Sequence, residues 1–250
     1  MDASKVKVKS LFKALKLLDH FSEQETSLKI SDVAEQEDLP KSTVHNIFST
    51  FSAYGMLTQD PYTGRYSLGP QIAKLSNIYF STNPALNLLR SDMERVSAIA
   101  NETVYFGTFF ENQVLYLEAV YPSSMNRTSS VIGVTAPLYC TGIGKSILAW
   151  SDPAIIDSVF SNPVTKYTEN TITDKQALLR ELQTSRETGF TIDNMEHEYG
   201  VKCVAVPIFR LDNTLAGAMS ITCPSLRMEG KYDLFSNLLK EAQKSLRTYL

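Results

Sequence analysis

A carboxylate, a thiol and two hydroxyls interrupt strand-length apolar runs in the stretch Gly189–Pro224, GFTIDNMEHEYGVKCVAVPIFRLDNTLAGAMSITCP. They belong to Asp193, Cys203, Ser220 and Thr222. Residues two apart on a strand share a face, so Ser220 and Thr222 point the same way, and all four can converge on one side of a sheet. Such a set is open to three chemistries: a thiol nucleophile, a metal site, or a small ligand pocket. A catalytic Cys203 needs a base at a recognisable spacing and has none, and an isolated cysteine in an apolar strand is more often inert. Asp193, His197, Cys203 and Cys140 are suitable zinc ligands by type, but their spacing matches no compact ligand motif. His197, between Glu196 and Glu198, has no Ser/His/Asp arrangement around it and reads as a solvated loop histidine. No catalytic residue, metal or cofactor is assigned, and the pocket is what is left.

Two other groups carry chemistry. In Thr141-Gly-Ile-Gly-Lys-Ser146 a phosphate loop would require a glycine where Tyr139 stands. The run reads better as a helix N-terminus, where the free N–H groups of Gly142 and Ile143 can accept an anion. Further upstream, Lys41, Ser42, Thr43, His45 and Asn46 form the exposed first turns of an amphipathic segment, with Val44, Ile47, Phe48 and Phe51 on its apolar stripe. Small and polar residues there suit a helix that enters the DNA major groove. Ser42 and Thr43 serve equally as caps, and any surface helix exposes polar residues. Arg65 and the N-terminal lysines Lys5, Lys7, Lys9, Lys13 and Lys16 are available to neutralise phosphates.

The elements that must position these groups follow from periodicity. Ser10 caps a helix with Leu11, Leu15, Leu18 and Phe21 on one stripe, and Leu28–Ile30 is a short apolar link. Ser31 caps a brief helix, SDVAEQ, which Pro40 separates from a third helix, capped by Ser42 and ended by Gly55. Strands Met56–Asp60 and Arg65–Leu68 come next. Helix, short helix, turn, helix and hairpin is the order of a winged helix-turn-helix. Pro70–Phe80 is a further helix with an exposed apolar stripe, of the kind that packs on a partner chain. After a break at Ser81–Pro84, helix Ala85–Ala100 leads to a hairpin, Thr103–Phe110 and Val114–Tyr121. An irregular stretch, Ser123–Val134, precedes helices at Ile143–Trp150, Pro153–Ser161 and Asp174–Thr188. The 189–224 strands and a last helix from about Lys231 complete the chain. Strand pairs without βαβ alternation predict an α+β fold with an antiparallel sheet. The expected division is 1–69 for DNA binding, 70–84 as linker helix and hinge, and 85–250 as the ligand and oligomerisation domain.

The totals limit the partners. The net charge of −3 confines any DNA contact to a local basic surface. No apolar run reaches the ~18 residues of a membrane span. The start lacks the apolar core of a signal peptide. Three cysteines in 250 residues, with no CxxC pair, fit a reducing cytoplasm.

LFKALKLLDHF and KISDVAEQEDLPKSTVHNIFSTFSAYGMLTQDPYTGRYSLGPQIAKL resemble the DNA-binding half of an IclR-type bacterial transcriptional regulator. LYCTGIGKSILAW and the 189–224 stretch are similar to two signature stretches of that family's effector domain, so the resemblance covers nearly the whole chain. It implies a GAF-like effector domain, a homodimer formed through the N-terminal domains and often a tetramer. It further implies operator DNA as partner, with effector contacts at Gly142, Ile143, Asp193, Cys203, Ser220 and Thr222. A repressor of a catabolic operon, answering to a small organic acid or sugar acid, is the expected function. Asn46 stands where many members have arginine after the histidine, and Tyr139-Cys140 replaces a His-Ala type pair. An enzyme on a GAF-like scaffold, with Cys203 as its thiol, is the rival expectation.

Overall fold

The structure, a computed structural model, describes residues 6–22, 24–125 and 130–247. Lys5 and part of the irregular stretch after Ser123 lie outside the described residues. The chain forms two compact units, Met1–Asn83 and Pro84–Leu250. Among the described residues no helix is long and apolar enough to cross a membrane.

In the first unit, α1 (Lys9–Lys16) runs into a single 3-10 turn, Leu17–His20, followed by β1 (Ser27–Leu28), α2 (Ile30–Gln36) and α3 (Lys41–Tyr54). Two short strands, β2 (Leu57–Gln59) and β3 (Tyr66–Leu68), form the wing, and α4 (Pro70–Ser81) ends the unit. Leu17, Leu28, Val33, Val44, Phe48, Leu57 and Tyr66 make its core, with the Phe48 and Tyr66 rings edge to face at 5.1 Å. Leu28, expected to be only a link, pairs with Tyr66, so β3 is the middle of a three-stranded sheet ordered β1-β3-β2. The expected caps are also corrected. α1, α2 and α3 start one residue before Ser10, Ser31 and Ser42, which therefore lie within the first turn and cap nothing. On α1 the apolar stripe is only partly covered, since Leu11 and Leu15 are exposed. On α4, Leu75, Ile78 and Tyr79 are exposed as well.

The second unit begins with α5 (Pro84–Ala100) and the hairpin β4 (Thr103–Phe110) and β5 (Gln113–Val120). Phe110 pairs with Gln113, leaving Glu111 and Asn112 as a two-residue turn with φ of +48° and +62°. Both residues at positive φ match the twist that hairpin strands require. Then come β6 (Thr135–Pro137), α6 (Gly142–Trp150), α7 (Pro153–Val159), α8 (Lys175–Thr188), β7 (Thr191–Asn194), β8 (Val201–Phe209), β9 (Leu215–Pro224), α9 (Ser225–Met228) and α10 (Tyr232–Leu246). The sheet is antiparallel throughout, ordered β6-β5-β4-β9-β8-β7. α6 packs on β7, β8 and β9, with α8 behind it, while α5 and α10 pack together on the other side. Its core on the α6 side includes Leu138, Ile143, Ile147, Leu178, Leu182 and Ala205.

Candidate effector cavity and DNA-reading helix

Register assembles the cavity. Asp193 pairs with Cys203 and Cys203 with Thr222, so a carboxyl, a thiol and a hydroxyl stand side by side across β7, β8 and β9. The next row on that face runs Ala205, Ser220 and Tyr105. A slip of one residue in either pairing would turn one of these groups to the opposite face. Thr222 donates its hydroxyl to the Cys203 sulfur at 3.1 Å, and Ser220 lies 3.4 Å from Thr222, oxygen to oxygen.

The start of α6 closes the other side. Thr141 caps it, accepting the Gly144 N–H at 3.0 Å while donating to the Pro137 carbonyl at 2.8 Å. That leaves the amides of Gly142 and Ile143 without a helical partner, at the positive end of the helix dipole. Helix and sheet meet closely here, since a Cβ on Gly142 would stand 3.0 Å from Cys203 Cβ. Gly144 has less room still: its Cβ would fall 2.4 Å from the Leu138 carbonyl oxygen and 2.6 Å from Thr141 Oγ1. Gly144→Ala is therefore expected to push the helix start off its cap and to cost about 1–3 kcal/mol in urea denaturation. A loss below a few tenths would show that the helix start yields freely.

Gly142, Ile143, Asp193, Cys203, Ser220 and Thr222, the six residues nominated from sequence, line one cavity of about 80 Å³. Tyr105, Tyr116, Thr141, His197, Glu198 and Val201 complete the lining and were not foreseen. Strand alternation pointed to Tyr105 only once its pairing with Ser220 was known. His197 corrects an expectation. It is half-buried against Tyr167, ring centroids 4.9 Å apart, and belongs to the cavity wall rather than to solvent.

Burial governs the charges. It raises Asp193 to about 7, in spite of the Glu196 amide that donates to its Oδ1 at 2.8 Å. Burial also raises the Cys203 thiol well above its usual value, with the Asp193 charge adding to the effect, so the thiol is neutral at physiological pH. A thiol held neutral is a poor nucleophile. His197 is shifted the other way by burial and is neutral above its ordinary range. Among the described residues no group of three His, Cys, Asp or Glu could hold a metal ion.

Beside the cavity lies a buried charge cluster that sequence inspection passed over. Lys145 is fully buried and pairs with Glu181 on α8 and Glu196 in the loop after β7. This disposes of the phosphate-loop likeness, because the lysine of the Gly-Lys-Ser run is engaged inside the protein. Glu196 in turn anchors the loop, its carbonyl accepting from Thr171 at 2.6 Å and from Thr168 at 3.3 Å.

In the first unit, α3 exposes Lys41, Ser42, Thr43, His45 and Asn46, while Val44 and Phe48 are buried beneath them. Lys9 is exposed on the first turn of α1. Arg65 is half-buried, its Nε donating to Ser27 Oγ at 2.8 Å and its Nη2 to the Ser27 carbonyl, which ties the wing to β1.

Residues 10–61 match the model of the IclR helix-turn-helix domain, and residues 79–248 that of the bacterial transcriptional regulator IclR C-terminal domain. The chain is 32% identical over 231 residues to the HTH-type transcriptional regulator KdgR of Escherichia coli K12, covering 91% of this chain and 86% of the relative. It is 29% identical over 240 residues to the DNA-binding transcriptional repressor YiaJ of the same organism, covering 94% and 85%. A solved structure of a putative IclR transcriptional regulator from Silicibacter sp. TM1040 superposes with a TM-score of 0.86 at 27% identity, over 96% of this chain and 95% of that one.

Proposed function

Because the chain belongs to the IclR family of bacterial transcriptional regulators, we propose that it represses a catabolic operon and senses a small organic acid in the cavity of its second unit. It is a DNA-binding transcriptional regulator and not an enzyme, as are its named relatives. The observation that carries the effector half is the convergence of two free helix amides, a carboxyl held toward its protonated form by burial, a thiol and two hydroxyls on one small cavity. Amides at a helix N-terminus take the acid's carboxylate, and the hydroxyls and protonated Asp193 take its remaining oxygens. The cavity's 80 Å³ is far below the ~300–1,000 Å³ of pockets for drug-sized ligands. Short keto or hydroxy acids of two to four carbons fit it as it stands, whereas sugar acids and aromatic acids need it to open.

The output is a cytoplasmic homodimer or tetramer that sets two α3 helices in successive major grooves, on half-sites ~34 Å apart or a multiple of it. Lys9 and Lys41 take phosphates, and Ser42, Thr43, His45 and Asn46 take base edges or adjoining backbone. A coupling of ~1–3 kcal/mol between effector and operator would change DNA affinity by roughly five- to 150-fold. Fluorescence anisotropy of the full chain on the DNA upstream of its own operon tests this reading. Tight binding that weakens steeply with salt is expected, and absent or salt-insensitive binding rules it out. On that operator, His45→Ala and Asn46→Ala should each lose about 1–3 kcal/mol and relax sequence preference. Lys41→Ala should weaken all sequences alike and lower the salt slope by about one. Equal losses on operator and random DNA for the first two would remove them from the base-reading set.

A further inference from the structure

The polar floor of the effector cavity gives way to aromatic rings at one end. Asp193, Cys203 and Thr222 stand on β7, β8 and β9, and Gly142 at the start of α6 lies over Cys203. Across the sheet, on β4 and β5, the lining is Tyr105 and Tyr116, with ring centroids 5.5 Å apart and planes at 62°. β5 is three strands from β8, roughly 14 Å at the usual strand spacing, so the Gly142 amide and the tyrosine pair mark opposite ends. The tyrosine end is closed. A Cβ on Gly107, which pairs with Tyr116, would fall 2.7 Å from Val114 Cγ1 and 3.2 Å from Ile143 Cγ2. Tyr121 packs edge to face on Tyr105 at 6.2 Å.

Tyr116 carries the group that matters at this end. Among the described residues its hydroxyl has no hydrogen-bond partner, whereas tyrosine hydroxyls usually find one when they are buried. Burial, followed by the charges of Cys203, Tyr105 and Asp193 on the cavity side, raises the phenol above its ordinary value, so it stays a neutral donor. A ligand that reaches this end must offer an oxygen to that hydroxyl or leave it stripped of water and unpaired. A site built in this way discriminates strongly against the analogue that lacks the oxygen. We propose that Tyr116 determines the specificity of the cavity by taking a second oxygen, at the end of the effector remote from its carboxylate. Tyr105 and Tyr116 together bar longer chains. The effector class is a short acid with a hydroxyl or carbonyl oxygen at its far end, in preference to a plain alkanoic acid. The inference rests on the effector reading above, in which oxygens next to the carboxylate already have Ser220, Thr222 and Asp193 as partners.

Calorimetric titration of the full chain with butyrate and its 2-, 3- and 4-hydroxy derivatives tests the assignment. The 3- or the 4-hydroxy acid is expected to bind at least about fivefold tighter than butyrate. Tyr116→Phe keeps the ring and removes only the hydroxyl. It should reduce that margin to about twofold or less, while the margin of the 2-hydroxy acid over butyrate persists. Tyr105→Ala opens the closed end and should bind hexanoate at least about tenfold tighter than wild type does. Circular dichroism checks that both variants are folded, and Tyr116→Phe decides the matter by itself if Tyr105→Ala is not. Margins unchanged in Tyr116→Phe would overturn the specificity role while the cavity still binds acids. Hexanoate bound no better by folded Tyr105→Ala would overturn the size limit. No binding of any of the four acids to wild type would remove the effector reading and this inference with it.

Discussion

Above pH 7, affinity for a carboxylate effector is expected to fall about tenfold for each pH unit, and Asp193→Asn to remove that dependence. Burial holds Asp193 near 7, against an ordinary value of 3.8. Below 7 the side chain is mostly a neutral donor, and above it a charge that repels the effector's own. An effector with a carboxylate ionises well below this range, so it contributes no step there. Of the titratable neighbours, Glu196 is shifted the same way by burial, with Lys145 opposing the shift. Lys145 keeps its proton through the pairing with Glu196 and Glu181, although burial alone would loosen it. The Cys203 thiol and the Tyr116 phenol are both held up by burial and stay neutral, and burial shifts His197 toward its neutral form. Asparagine copies the protonated shape and can still donate, so the variant should bind at pH 6 within a few-fold of wild type and bind equally at pH 8. Calorimetric titrations of the acid found by thermal shift, at three pH values, decide it. A flat wild-type profile would show that Asp193 does not meet the effector.

The same shift has a consequence for stability. Between 3.8 and about 7 the folded chain keeps a proton on Asp193 that the unfolded chain has released. Folding is therefore favoured by this group at low pH and loses that advantage as pH rises through the window. The Tm of Asp193→Asn should gain on wild type between pH 6 and pH 8.

The largest loss of stability is expected from Lys145→Met. Methionine fills the space of the lysine stem but leaves Glu181 and Glu196 facing each other with no cation, one of them 4% exposed. Breaking a buried pair by removing one partner costs about 3–5 kcal/mol, which lowers Tm by roughly 10 °C in a domain of this size. Effector affinity should fall with it, because Glu196 fastens the loop that carries His197 and Glu198 to the cavity wall. Burial already makes Glu196 reluctant to ionise, with Lys145 opposing that tendency. The double variant Lys145→Met, Glu196→Gln should accordingly recover at least about 1 kcal/mol over the single one. Urea denaturation of wild type, single and double variants gives all three values. A single variant within about 1 kcal/mol of wild type would mean the cluster is solvated more than its burial implies.

The sequence by itself determined most of the order of elements, though not the short β1, β6 and α9, together with the winged helix-turn-helix, the antiparallel α+β character and the family. Those depend on local period, on Pro40 and Gly55 as stops, and on stretches of motif read in line. It also picked out Asp193, Cys203, Ser220 and Thr222, because polar side chains in apolar strands are conspicuous wherever the strands go. Only the tertiary structure decided that they meet. Alternation fixes faces within β8 and within β9, but the pairing of Cys203 with Asp193 on one side and Thr222 on the other is a matter of register. The Lys145 cluster was out of reach for a related reason. Its partners are 36 and 51 residues away, and each looks in sequence like an ordinary surface glutamate. Arg65 likewise reads as a free cation until β1 is seen to run beside it, 38 residues earlier in the chain. Local pattern fixes which groups a chain carries and which way each strand presents them; which charge faces which is set by long-range packing, where burial turns an ordinary aspartate into a group that titrates near neutrality.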